Sequence, residues 1–289
     1  MSQSVAYKSS GVDWIKDIPE SWKINRLKYL VENKLEYGAN ESAELEDPEL
    51  PRYIRITDFD KAGNLRDDTF KSLPNEQACQ YLLKEGDILF ARSGATVGKT
   101  FQFKNYKGRA CFAGYLIKAR PKTKAVLSDY LYFYTRSNAY ENWRGSIFNQ
   151  ATIQNIGADK YQELPVPFPS VEDQKVITNY LNRKTVQVDD LIAKKEQMIE
   201  LLKEERMAVI NQAVTKGLDP KVELKDSSIE WLGKIPKHWV IKKLKYLGQI
   251  IIGLTYSPED VSPNGILVLR ASNIKNGKIL LENNVFVDK

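Results

Sequence analysis

Nine polar or basic side chains have the chemistry to contact a polyanion or the edges of nucleobases. They are Arg92, Ser93, Thr96, Lys99, Lys104, Lys107, Arg109, Asn149 and Gln150. Guanidinium and ammonium groups hold phosphates and can bind guanine O6 and N7, and hydroxyl groups also bind phosphate oxygens. The side-chain amides of Asn149 and Gln150 match the hydrogen-bonding edge of adenine. These residues are therefore the candidates for nucleic-acid contact.

Basic residues are concentrated in one part of the chain. The net charge is +6, and the window from Tyr81 to Lys124 contains ten Lys or Arg against Glu85 and Asp87, which gives +8 for the window. The segments KTFQFKNY and ACFAGYLIKA alternate in polarity, which predicts paired strands with one apolar and one cationic face. A solvated sheet face and a nucleic-acid interface both fit this pattern, and both interpretations remain open.

The letters SGATVGKT at 93–100 are similar to a phosphate-binding loop but differ in spacing. Gly94 and Gly98 enclose three residues, whereas the nucleotide-binding pattern needs four between its glycines. The residues after Thr100 alternate like a strand, although a phosphate-binding loop must lead into a helix. The sequence therefore predicts a strand, a turn carrying Arg92 to Lys99, and a second strand.

The residues most often used for catalysis are scarce. His238 is the single histidine, and Cys79 and Cys111 are the two cysteines. We predict no catalytic residue, no metal site and no cofactor in this chain, with both thiols reduced. The sequence has no apolar run of about 18 residues and no secretory leader, so a cytoplasmic location without a membrane span is expected.

A segment near the start of the chain recurs near its end. Residues 7–30 and 224–247 are identical at 11 of 24 positions with a fixed offset of 217, and Trp14 and Trp22 recur as Trp231 and Trp239. A repeat this long indicates a duplicated domain with a connector. We expect a tandem duplication whose second copy is incomplete, and we expect the repeated Trp residues to serve in the core and in docking.

A long helix should connect the two copies. Prolines at 165, 167 and 169 precede a helix-start pattern at Ser170 to Asp173, and no Gly or Pro follows until Gly217. Apolar residues recur at helical spacing: Val188, Leu191, Ile192, Met198, Ile199, Leu202 and Val209. A helix of about 44 residues would span roughly 65 Å. Such a stripe predicts a partner helix, although packing along its own domain is the alternative.

Several segments together resemble the specificity subunit of type I DNA restriction-modification systems. They are the W-x₃-IP-x₂-W blocks at 14–22 and 231–239, GDILFARSGATVGK at 86–99, FNQATIQNI at 148–156, LPVPFPSVEDQKVI at 164–177 and AVTKGLDP at 213–220. The resemblance implies an α+β fold. It divides the chain into a β-rich target-recognition domain (1–168), a coiled-coil-forming spacer helix (169–220) and an incomplete second recognition domain (221–289).

This resemblance also implies a function without chemistry in the chain itself. Each recognition domain is expected to bind half of a split double-stranded DNA site, and paired helices hold the halves apart. Methylation subunits using S-adenosylmethionine and an ATP- and Mg²⁺-dependent restriction subunit are the expected partners. The nine candidates then become DNA-binding residues, although the segment of Asn149 and Gln150 could instead serve structure.

Other interpretations remain open from the sequence. The long helix could form a homodimer that reads an inverted repeat, or the chain could need another fragment to supply the second half. A structural coiled-coil protein whose basic domain binds nucleic acid without sequence preference is the competing class. An autonomous nuclease or nucleoside triphosphatase is a third, and metal-dependent activity of the isolated chain would be needed to support it.

Overall fold

A computed structural model describes residues 6–42, 44–60, 63–94, 96–148 and 155–288. The chain divides into two compact units, residues 1–196 and 197–289. The predicted α+β class is confirmed, because a β-rich unit leads into one long helix. The finer division at 168 and 220 remains a prediction, since the boundary between the two units falls inside that helix. No helix of the described residues is long and apolar enough to cross a membrane.

The first unit contains short strands and short helices. Its strands are Tyr7–Ser9 (β1), Asp17–Pro19 (β2), Lys23–Arg26 (β3), Glu36–Tyr37 (β4), Arg52–Ile54 (β5), Ile88–Ala91 (β6), Thr100–Gln102 (β7), Ala110–Phe112 (β8), Leu116–Ala119 (β9) and Pro165–Phe168 (β10). Its helices are Leu27–Leu30 (α1), Asn75–Ala78 (α2), Ser128–Tyr134 (α3), Asn138–Phe148 (α4) and Ala158–Gln162 (α5). Single 3₁₀ turns cover Ile56–Asp58, Asp67–Thr69 and Cys79–Tyr81.

The central sheet has the order β4-β9-β6-β7, and every neighbouring pair is antiparallel. Alternate side chains of β6 enter two different cores, as the two-residue period of a strand requires. Ile88 and Phe90 pack with the helices α3 and α4, whereas Leu89 and Ala91 pack with Phe101 and the strands on the other side. The sheet is therefore covered on both faces.

The predicted strands KTFQFKNY and ACFAGYLIKA exist, but the predicted pairing is wrong. Strands β7 and β9 each pair with β6, and β8 pairs in parallel with β5. The predicted cationic face is wrong for β9, where all four residues are buried and Lys118 lies in an ion pair with Glu36 at 2.9 Å. A core covers each face of the sheet, so neither face of β9 is in contact with solvent.

The long helix α6 runs over Val171–Lys216, close to the predicted limits. The Ser170 hydroxyl accepts a hydrogen bond from the Asp173 backbone N–H at 3.1 Å, which satisfies one of the free donors at the helix start. Gly217 follows the helix with a φ of 77°, a left-handed conformation that favours glycine and ends a helix.

The second unit contains seven short strands among the described residues. They are Leu224–Asp226 (β11), Lys234–Pro236 (β12), Val261–Ser262 (β13), Ile266–Val268 (β14), Ile274–Lys275 (β15), Lys278–Ile279 (β16) and Val285–Val287 (β17). Strand β17 lies between β13 and β14, while β11 pairs with β12 and β15 pairs with β16. Single 3₁₀ turns cover Leu244–Tyr246, Pro258–Asp260 and Ala271–Asn273.

Candidate nucleic-acid interface

The turn at 92–99 joins β6 to β7 as the sequence predicts. The backbone N–H of Gly98 donates to the Ala91 carbonyl, and that of Ala91 donates to the Lys99 carbonyl, both at 2.8 Å. Gly94 and Gly98 have φ values of 80° and 82°, which residues other than glycine rarely adopt. Because the turn leads into a strand, it lacks the helix start of a nucleotide-binding loop, and the interpretation as a strand-turn-strand unit is confirmed.

Helix α4 packs against this turn and fixes it. The buried Tyr140 donates its hydroxyl hydrogen to the Gly98 carbonyl at 2.7 Å. A Cβ atom added at Gly98 would lie 2.1 Å from Cδ of Arg144, whose stem covers the glycine and whose guanidinium pairs with Glu141. The left-handed φ of Gly98 therefore favours glycine, and the Arg144 side chain would have to move for any larger residue.

Buried tyrosines tie the turn to the segment before α6. Tyr161 donates to the Ala91 carbonyl at 3.2 Å, and Tyr130 donates to the Pro167 carbonyl at 2.9 Å. Burial raises the pKa of both phenols, so they remain hydrogen-bond donors across the physiological range. These bonds hold the candidate turn and the start of the long helix on one rigid core.

Arg92 is held against the protein. Its guanidinium lies 4.9 Å from the ring centre of Tyr37, whose hydroxyl accepts a hydrogen bond from the Ala158 backbone N–H at 2.9 Å. Its Nε atom is buried and has no hydrogen-bond partner among the described residues. Ser93 forms an isolated bridge with Asn155. A guanidinium stacked in this way presents its remaining donors in a fixed direction.

Lys99 and Lys104 line two neighbouring clefts, and the clefts share several of their lining residues. The cleft beside Lys99 has a volume of about 230 Å³, and the one beside Lys104 has a volume of about 470 Å³. Gly63, Tyr132 and Arg136 line both clefts. Lys104 also pairs with Asp129 at 2.9 Å, whereas Lys99 is exposed on the turn and has no ion-pair partner in the described part of the chain.

Two arginines of the larger cleft, Arg52 and Arg136, are not among the nine candidates from the sequence. Arg52 is buried between the rings of Phe70 and Tyr106, at 5.6 and 5.5 Å from their centres. Arg136 is exposed and lies over Tyr132. Both lie outside the basic window, and nothing in their local sequence distinguishes them, because the cleft forms only when distant segments pack together.

The remaining predicted contacts are dispersed. Arg109 donates to the Asn75 side chain at 2.6 Å, and Lys107 is exposed on the connection between β7 and β8. Thr96 lies on the turn itself, where its carbonyl accepts a hydrogen bond from the Lys99 N–H at 2.9 Å. The predicted residues Asn149 and Gln150 lie outside the described residues.

Part of the basic window stabilises the fold and does not form an open cationic face. Arg120 pairs with the buried Asp87 at 2.7 Å, and this hydrogen bond raises the pKa of the guanidinium. Lys122 donates to the Tyr29 carbonyl at 3.1 Å. The basic window therefore does not form one continuous cationic face, because several of its cations have protein partners.

The predicted helix-pairing residues are exposed. Between 50% and 61% of the surface of each is accessible: Val188, Leu191, Ile192, Met198, Ile199, Leu202 and Val209. Further large apolar side chains of α6 are equally open, among them Val186, Leu201 and Ile210. The helix therefore carries a broad apolar surface with no cover from the described residues, and its pairing remains a prediction.

The two cysteines belong to the first unit and the histidine to the second. Cys79 and Cys111 are both free thiols, the first exposed and the second buried. His238 lies beside Trp239 in the second unit, with 6.3 Å between the ring centres. Within the described residues, no group of three His, Cys, Asp or Glu side chains could hold a metal ion.

Comparison with known proteins identifies the family. Residues 19–201, more than half of the chain, match the family described as "Type I restriction modification DNA specificity domain". The MjaVIII specificity subunit of Methanocaldococcus jannaschii is 25% identical over 274 residues, covering 93% of this chain and 59% of that protein. The EcoKI specificity subunit of Escherichia coli is 28% identical over 231 residues, covering 76% of this chain and 47% of that protein.

Solved structures support the same fold. The HsdS subunit from Thermoanaerobacter tengcongensis aligns with a TM-score of 0.51 at 20% identity, covering 73% of this chain and 48% of its own. A chain from a type I R-M system aligns with a TM-score of 0.56 at 22% identity, covering 73% and 49%. The chain spans about half the length of the relatives it matches. The resemblance seen in the sequence is confirmed, and the chain belongs to the type I restriction-modification DNA specificity family.

Proposed function

We propose that this chain is a sequence-specific DNA-binding subunit that directs adenine methylation and restriction to a bipartite site. The match of residues 19–201 to the DNA specificity domain is the observation that carries the proposal. Because the chain spans about half the length of its relatives, the activity of the complete relatives comes to it as part of this proposal.

The first unit supplies a rigid surface for the DNA. Lys99 and Lys107 are exposed and would contact phosphates, and Arg136 adds a cation at the wall of the clefts. Arg92, held on Tyr37, is the candidate for a base contact because its direction is fixed. The hydrogen bond from Tyr140 of α4 holds the Gly98 side of the turn in place, and a preorganised surface favours discrimination between similar sequences.

In this proposal the chemistry belongs to partner subunits. Methylation subunits would hold S-adenosylmethionine, and a restriction subunit would use ATP and Mg²⁺. This chain would place those subunits on the DNA in the cytoplasm and would have no catalytic residue of its own.

The exposed surface of α6 favours pairing with another helix. A helix of 46 residues with an open apolar stripe gains stability when a second helix covers that stripe. We propose that two chains pair through this surface and then read an inverted repeat.

Sedimentation should show a dimer for the native chain. A Leu191→Lys, Leu202→Lys variant should be a monomer, a Lys194→Ala control should remain a dimer, and a monomeric native chain would contradict this part.

Competition binding separates this function from binding without sequence preference. The chain assembled with methylation subunits is first used to select its motif from random duplexes. It should then bind the motif about a thousandfold or more tightly than scrambled DNA. Lys99→Ala and Lys107→Ala should each lower the slope of log affinity against log salt by about 1, and Lys195→Ala on the helix should not. Equal affinity for both DNAs would favour the structural coiled-coil alternative.

A further inference from the structure

The buried side chains of α6 lie in its first turns, where the helix joins the core of the first unit. Of its 46 residues, Gln174 and Thr178 are buried, and both lie near the start. Ile177 also packs against the core at its edge. The direction in which the helix leaves the first unit must therefore be set by few contacts.

Gln174 is a polar side chain with complete hydrogen bonding in this joint. Its Oε1 atom accepts from the Leu127 backbone N–H at 2.8 Å. Its Nε2 atom donates to the carbonyls of Ala125 and Pro169, both at 3.1 Å. Hydrogen bonds are directional, whereas apolar contacts tolerate sliding, so three bonds from one buried amide fix an orientation.

Helix α6 also borders the candidate DNA surface. Asp189, farther along α6, lines the larger cleft together with Lys104. Lys104 in turn pairs with Asp129 at 2.9 Å. The helix therefore runs beside the segment that carries candidate phosphate contacts.

We propose that Gln174 is a positioning residue that fixes the direction of α6 on the first unit and thereby sets the distance between the two half-sites. The spacing part rests on the proposed function. A helix of 46 residues is about 69 Å long at about 1.5 Å per residue. A pivot of about 3° moves its far end by about 3.6 Å, close to the rise of about 3.4 Å per base pair. A change of helix direction of about 3° would therefore be enough to shift the spacing by about one base pair.

Distances between two spin labels test the direction of the helix without any DNA. The exposed Cys79 takes one label, and Lys195→Cys supplies the second. Burial raises the pKa of the Cys111 thiol to about 12, which keeps it protonated and unreactive. Labelled chain is diluted with unlabelled chain so that each distance is measured within one molecule.

Gln174→Met should broaden the distribution of distances about twofold, because it leaves the Leu127 N–H and two carbonyls without their partner. Gln174→Asn keeps the amide on a side chain shorter by one methylene and should give intermediate broadening, and it serves if the Met variant does not fold. Gln187→Met, on the exposed face of the helix, is the matched control and should leave the distribution unchanged. A folded Gln174 variant with the native distribution would overturn the proposal.

Mapping of methylated sites tests the spacing. With methylation subunits present, Gln174→Met should keep both half-site sequences but accept more than one spacer length. A single unchanged spacer alongside a broadened distance distribution would refute the spacing part. If the native chain directs no methylation, the proposed function fails, and the role of Gln174 in helix direction is judged by the label distances alone.

Discussion

The two copies of the repeat have the same hairpin and different surroundings. In the first copy Tyr7 pairs with Pro19, and in the second Leu224 pairs with Pro236 in the same register. The turns match as well. Lys16 and Gly233, 217 positions apart, are both left-handed, with φ values of 59° and 65°. The local sequence therefore determines the hairpin twice.

Burial distinguishes the copies. Leu27 is 0% exposed, whereas its counterpart Leu244 is 70% exposed, and Trp14 packs against the core while Trp231 is 85% exposed. In the first copy β10 pairs with β3, and the Leu27 N–H donates to the Leu164 carbonyl at 2.9 Å. No described strand pairs with residues 240–243. The same repeated sequence is therefore buried where β10 and the first core cover it and exposed where no described strand does.

Leucine truncation should give the largest contrast between the copies. We expect Leu27→Ala to lower the free energy of unfolding by about 2–5 kcal/mol, because it removes a fully buried side chain. The matched Leu244→Ala should change it by less than about 0.5 kcal/mol. Urea unfolding measures both, and similar losses would show that Leu244 is also part of a core.

The 3₁₀ turns Ile56–Asp58 and Ala271–Asn273 have the same capping arrangement in the first and second unit, which allows an exchange of residues between them. In the turn Ile56–Asp58, a guanidinium nitrogen of Arg55 lies 2.8 Å from a carboxylate oxygen of Asp58. In the turn Ala271–Asn273, the Asn273 amide takes the place of this carboxylate. Asp58→Asn should cost about 1–3 kcal/mol because it removes a buried, charge-assisted bond. The Asn273 amide donates to the carbonyls of Leu280 and Glu282, both at 3.1 Å.

Asn273→Asp should therefore destabilise the turn Ala271–Asn273 by a similar free energy, since a carboxylate cannot donate to those carbonyls. Hydrogen exchange of the backbone amides in each turn reads out the two effects separately. Exchange that is unchanged in both variants would mean that the two turns tolerate either residue.

The serine at each hairpin turn should contribute equally. The Ser10 hydroxyl accepts from the Val12 N–H at 3.1 Å, and the Ser227 hydroxyl accepts from the Ile229 N–H at 3.1 Å. We expect Ser10→Ala and Ser227→Ala each to weaken their hairpin by about 0.5–1 kcal/mol, measured by amide exchange in β1 and β11. A large difference would show that the hairpins depend on their surroundings after all.

The smallest effect is expected at the surface of the first copy. Glu163 pairs with Lys28 at 2.6 Å and with Arg26 at 2.5 Å, and the hydrogen bond from Lys28 lowers the pKa of the Glu163 carboxyl. Its contribution is present above the ordinary carboxyl pKa and is lost as the pH falls through the lowered value.

Glu163→Gln should therefore reduce stability slightly near neutral pH and should make no difference at about pH 2. Thermal unfolding as a function of pH measures this, with Glu230→Gln as a control that has no ion-pair partner in the described residues. A difference that persists at acidic pH would point to packing and not to charge.

Features encoded by neighbouring residues were predictable from the sequence. The limits of α6 follow from a capping serine, an uninterrupted helical segment and Gly217, and the turn at 92–99 follows from its glycines. The pairing of β7, β8 and β9, the burial of Lys118 and the cleft around Arg52 and Arg136 were not predictable. They depend on contacts between segments far apart in the chain, which local polarity does not encode.

The most direct test of site-specific DNA recognition is a map of N6-methyladenine. The chain is co-expressed with its methylation subunits in a host that lacks other adenine methylation, and the genome is read by long-read sequencing. We expect methylation at one split motif with a fixed spacer, lost when the chain is omitted. Methylation that does not depend on the chain, or that has no motif, would contradict site-specific DNA recognition by this chain.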